Sequence, residues 1–223
     1  MMTTKASPTA GWKKIAAQAL FGAVVGAAGM FAALSLLEGG DGNDWPGSII
    51  ILLGVGFIYT LMGAFVGIGT LAPRLVGQRL LNVADAEEIV EERSHLGGSA
   101  IGCLALGAGL MLLAYATGSE AVGTTPRVSV AAAFWILVAV LGLFTLVSVW
   151  MWRDFDELWR QLTLEVTAIT GNLMMFVAVL WGGAATADLI AGPHPIDLVS
   201  LSFGLMLLGC FVATARRGMM APR

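Results

Sequence analysis

Six stretches of about twenty residues each, the length a bilayer core requires of a helix, run through this chain almost free of charge. They lie at approximately residues 15–37, 48–72, 96–117, 128–152, 162–183 and 196–214. The first four contain no Asp, Glu, Lys or Arg, and the last two hold one carboxylate each, Glu165 and Asp197, close to an end. A soluble domain needs about 25% charged residues to wet its surface. Here 12% of residues are charged, 57% are apolar, and the mean hydropathy is +0.84. Lipid as the solvent for the middle of each run resolves that deficit. Hydrocarbon offers the backbone no hydrogen-bond partner, so the runs are expected to be helices. The predicted fold is all-α: a polytopic membrane protein of six transmembrane helices in three hairpins, forming one domain over residues 1–223.

The first apolar run, Ile15–Leu37, is longer than the roughly 7–15 apolar residues of a cleaved signal peptide, so it reads as a retained helix. Orientation follows from the basic residues. With the N-terminus inside, the cytoplasmic segments hold Lys5, Lys13, Lys14, Arg74, Arg79, Arg93, Arg153, Arg160, Arg216, Arg217 and Arg223, and the opposite side holds Arg127 alone. That asymmetry predicts cytoplasmic N- and C-termini. Trp12, Trp150, Trp152 and Trp159 then fall near the inner interface and Trp45 and Trp181 near the outer one, where indole rings prefer to sit.

Two patterns stand out in the segments between runs. Asp85, Glu87, Glu88, Glu91 and Glu92 form an acidic stretch before the third run. Asp85 followed by Glu88 resembles a capping box. It predicts a nearly continuous helix from Asp85 to Thr117, with Gly97-Gly98 as a place for a kink. The acids are a candidate docking surface for a basic partner or a divalent cation. The alternative is a solvated helix start favoured by the helix dipole. An offset of 69 residues lays Asp85–Ile89 on Asp154–Leu158, Gly102 on Gly171 and Cys103 on Asn172, which reads as an internal repeat of one hairpin. Same-orientation repeats occur in some transporter folds but do not by themselves imply transport.

The start of the fifth run reads Asp156-Glu157-Leu158-Trp159-Arg160-Gln161-Leu162-Thr163-Leu164-Glu165. It resembles a D-E-L/M-x-R-x-I/L-x-L-E stretch found in small, uncharacterised bacterial inner-membrane proteins. The resemblance covers one hairpin. It implies a bacterial inner membrane and carries over no activity and no site.

The chemistry these runs lack is informative. Intramembrane ionisable residues usually mark proton relays and transport paths, and the middle of every run is without one. His95 and His194 sit at run ends, so no mid-membrane pair exists to ligate a haem. Cys103 and Cys210 form no C-x-x-C pair, and there is no phosphate loop and no H-E-x-x-H helix. Net charge is −3, which leaves no basic footprint for nucleic acid. The chain is therefore expected to have no catalytic residues, no metal and no cofactor. The remaining candidates are polar and small residues. Asn172 and Glu165 lie one heptad apart on the fifth run, with Thr170 nearby. They could line a polar pocket, or Asn172 could bond another helix near Cys103. His95, Ser99 and Cys103 share a face of the third run as interfacial and packing residues. The G-x-x-x-G pairs Gly22/Gly26, Gly63/Gly67 and Gly98/Gly102 are candidate close-packing faces, within the protein or between protomers. These features favour a non-enzymatic inner-membrane protein that packs against, assembles or regulates a larger membrane complex. Its expected partners are the lipid bilayer and another membrane protein or a second copy. The alternative is a permease or channel for a small neutral or weakly charged solute.

Overall fold

The computed structural model describes residues 45–74, 86–153 and 155–217. The first apolar run, with Gly22 and Gly26, lies outside the described residues, as does Asp85. The described chain forms α1 (Gly47–Leu71), α2 (Ala86–Glu91), α3 (Arg93–Ala121), α4 (Val130–Met151), α5 (Glu157–Thr186) and α6 (Pro195–Arg216), with no strand among the described residues. All but the short α2 are long and apolar enough to cross a membrane. They coincide with the second to sixth apolar runs, each within a few residues of its expected bounds.

Local chemistry explains where the helices begin and stop. Pro73 follows α1, and the residue before a proline is pushed out of the helical region, so Ala72 adopts φ −127° and ψ 63°. Ser129 caps α4 by accepting from the Ala132 N–H at 3.2 Å, and Asp156 caps α5 by accepting from the Trp159 N–H at 2.8 Å. Pro195 opens α6, and the Asp197 carboxylate accepts from the His194 backbone N–H at 2.8 Å. Beyond α3, Gly123 takes φ +76°, which lets Thr124 turn back and donate its N–H to the Ser119 carbonyl at 2.9 Å. The expected helix from the acidic stretch into α3 is interrupted for one residue, at Glu92 (φ −92°, ψ 11°), and continues unbroken through Gly97-Gly98. Gly97 and Gly98 lie inside the hydrogen-bonded helix, whereas the Glu92 backbone leaves it, so the interruption falls five residues before Gly97.

Glycine sets the core. α1 and α3 run antiparallel, and Gly56 and Gly63 on one face Gly107 and Ala100 on the other. A Cβ added at Gly63 would lie 2.7 Å from the Ala100 carbonyl oxygen and the Leu104 nitrogen, and one at Gly107 would lie 2.6 Å from the Gly56 oxygen. The small residues thus recur every seven positions, at 56 and 63 and at 100, 107 and 114, with Ala114 fully buried. Close backbone approach of this kind replaces the hydrophobic driving force that lipid removes. Leu52 and Leu110 fill the space beside the ridge with no exposed surface. α6 flanks α1, where the Tyr59 hydroxyl donates to the Phe203 carbonyl at 3.2 Å and its ring meets Phe203 edge-on. α4 flanks α3, with the Phe144 ring lying over Gly102 and Leu137 over Gly109. α5 packs on the outer side of α6. The order across the molecule is α5, α6, α1, α3, α4.

Of the expected glycine faces, then, Gly63 and Gly102 make close contacts, each with a different helix. Gly67 is loose, with Ala100 at 3.8 Å, and Gly98 meets only the Met151 sulfur at 4.0 Å. Along the α1/α3 contact the close approaches fall seven residues apart, at Gly56 and Gly63.

Candidate functional site

The helix directions bring all but one of the described arginines to one end. Arg74, Arg93, Arg153, Arg160, Arg216 and Arg217 all follow or precede helix ends on the same side, while Arg127 lies at the opposite end, between α3 and α4. At the arginine-rich end Glu165 takes part in a clasp. Its Oε1 is 3.0 Å from Arg216 Nη1 and its Oε2 accepts from Arg217 Nε at 2.9 Å. This ties the first turns of α5 to the last turn of α6. Glu165, a candidate with Asn172 for a shared polar pocket, is thus engaged by two guanidinium groups from the end of α6.

Beside the clasp an aromatic cluster joins α3, α4 and α5. The Arg160 guanidinium lies 5.9 Å from the Trp152 ring centre, and His95 and Trp152 both tilt against Phe155. The Trp159 indole N–H reaches Glu92 Oε1 at 3.5 Å. Glu92 therefore faces α5. Glu87 and Glu91 are exposed, and the side chain of Glu88, with Asp85, lies outside the described residues. Among the described residues no three His, Cys, Asp or Glu side chains gather as metal ligands would.

Asn172 occupies the middle of α5, about 10 Å along the axis from Glu165 at a rise of about 1.5 Å per residue. It does not meet the other candidates. Its amide nitrogen donates to the Ala168 carbonyl of its own helix at 2.8 Å, and the side chain is exposed. The expected bond to another helix near Cys103 is corrected: Cys103 belongs to the half-buried shell around the α1/α3 core, whereas Asn172 points off the outer side of α5. Thr170 is directed the other way, over Gly209 at the α5/α6 crossing, with its hydroxyl 3.5 Å from the Leu205 carbonyl.

The face that carries Asn172 is open. Leu162 is the one buried residue of α5, and Thr167, Ala168, Gly171, Met175, Phe176 and Val179 are exposed with Asn172. A Cβ added at Gly171 would meet nothing within 4 Å. Small residues and one amide in the middle of an apolar face make a flat strip with unused hydrogen-bonding capacity. The second amide hydrogen and the oxygen of Asn172 have no partner among the described residues.

Sequence reasoning did not find the Arg216/Arg217 clasp or the seven-residue small ridge. The ridge was readable as the recurrence of small residues at 56 and 63 and at 100, 107 and 114. The clasp required knowing which helix lies beside α5. The chain matches no family model, no curated protein and no solved structure. Its class is set by its own architecture, an all-α array with five membrane-length helices, consistent with a polytopic membrane protein.

Proposed function

We propose that this chain is a non-enzymatic, multi-pass protein of the bacterial inner membrane that assembles with or regulates a larger membrane complex, and that the Gly171–Asn172 face of α5 is where the partner helix packs. The arginine-rich end lies in the cytoplasm in this reading, because basic residues are retained on that side during insertion. Six spans with both termini inside follow if Ile15–Leu37 is the first of them. Asn172 is the observation that carries the proposal. A primary amide at mid-helix depth has two donors and an acceptor oxygen, lipid satisfies none of them, and one donor alone is used within the helix. Gly171 beside it leaves room for a second helix backbone, the combination by which membrane helices associate. The open face has no ionisable group, which favours assembly over a permease built around Asn172 and Glu165.

A photo-crosslinking amino acid placed at position 172 of the full chain in native membranes tests this. The expected result is a discrete adduct with a second membrane protein, absent when the same group sits at Val147 on α4. Adducts with lipid alone, or a crosslink to the chain's own Ile15–Leu37 segment, would contradict it.

A further inference from the structure

At the end opposite the arginines the helices leave a cleft of about 780 Å³. That volume lies within the roughly 300–1,000 Å³ of small-molecule sites. Its floor is the α1/α3 pair and its walls are α4 and α6. The lining is mostly apolar, with Ile49, Leu113, Phe134 and Val199 among it, and its few polar side chains, Ser48, Thr117 and His194, lie toward the helix ends.

The side chains of Ser48 and Thr117 make no hydrogen bond among the described residues, whereas that of His194 helps cap the start of α6. Thr117 is telling in this respect. Most hydroxyls within these helices, including Thr60, Thr163, Thr167 and Thr214, donate to the carbonyl four residues earlier, and Thr117 does not. An occupant that fits must present apolar bulk to most of the lining and hydrogen-bond acceptors to Ser48 and Thr117. A purely apolar helix would meet the first demand and leave the second unmet.

We propose that the cleft holds an acyl chain of a glycerophospholipid from the adjoining leaflet, with the ester oxygens accepting hydrogen bonds from Ser48 and Thr117. The chain then lies along Ile49, Leu113, Phe134 and Val199 toward the bilayer middle, and the glycerol stays level with the helix ends. This rests on the membrane-spanning reading. The experiment is reconstitution of the full chain in phosphatidylethanolamine vesicles doped with a phosphatidylethanolamine that carries a diazirine in one acyl chain, followed by irradiation and peptide mapping. Labelling at Leu113, Phe134 and Val199 is expected to exceed that at Leu180, an exposed apolar residue of α5, by several-fold. Ala131→Trp, which fills the cleft, and Thr117→Val, which removes a donor without changing bulk, should each lower that excess. Equal labelling of cleft and Leu180 would overturn the proposal while leaving the membrane reading intact. An excess unchanged in both variants would overturn it too, as would a disulfide between Val199→Cys and a cysteine placed in Ile15–Leu37 that excludes the probe. Absence of label at Leu180 itself would instead count against membrane insertion and take the proposal with it.

Discussion

Gly107 and Gly171 are both glycines inside long apolar helices, and the structure places opposite demands on them. At Gly107 a methyl group would press on the Gly56 oxygen and the Thr60 nitrogen, which are backbone atoms and cannot turn aside. Gly107→Ala should therefore destabilise the protein by about 1–3 kcal/mol, the usual cost of overpacking. Gly171→Ala should be neutral or stabilising by up to about 1 kcal/mol, since the space is open and alanine is the better helix former. Thermal unfolding of the two variants in the same detergent checks the contrast, and equal midpoints would refute it. Asn172→Leu should change the midpoint little, by about 1 kcal/mol or less, because the lost bond lies within one helix turn. The same change should lower recovery of the partner in a mild-detergent pull-down. Sequence alone marked Asn172 as the most polar residue deep in a run, which its position supports. It did not show which way the side chain points, because that depends on which helix lies beside α5, and lipid-facing and helix-facing positions draw on the same apolar residues.

The helices themselves were legible because their lengths and their missing charges leave no alternative. Their neighbours were not. Nothing in the apolar runs states that α6 lies between α5 and α1, and the Glu165 clasp depends on that adjacency. Glu165 and Arg217 are largely shielded, with side chains 21% and 28% exposed, while Arg216 is 68% exposed. Glu165→Gln should cost about 1 kcal/mol, since the Arg216 side of the clasp is open to water and a glutamine oxygen can still accept from Arg217. The loss should shrink as salt screens the wild-type pair. Unfolding midpoints of the variant and wild type at low and high ionic strength test this, and a salt-independent gap would argue that the carboxylate acts otherwise than through its charge. The helix ends were readable in detail at Pro73, Ser129, Asp156 and Pro195, where side-chain chemistry fixes the cap. The interruption at Glu92, whose carboxylate meets the Trp159 indole of α5 at 3.5 Å, was not.

For the molecule as a whole, the five described membrane-length helices alternate in direction so that the basic residues gather at one end. That charge asymmetry is what insertion reads. The small-residue ridge between α1 and α3 gives the array a stiff centre, and α4 and α5 at its margins carry most of the exposed apolar surface. Both the proposed partner face on α5 and the proposed lipid site between α4 and α6 take their meaning from the side of the membrane each end faces. Topology mapping with paired alkaline phosphatase and fluorescent-protein fusions at residues 90, 120, 190 and the C-terminus measures that directly. The account predicts phosphatase activity at residues 120 and 190 only, with fluorescence at residue 90 and at the C-terminus. Phosphatase activity at the C-terminus, or fluorescence at residue 120, would contradict it.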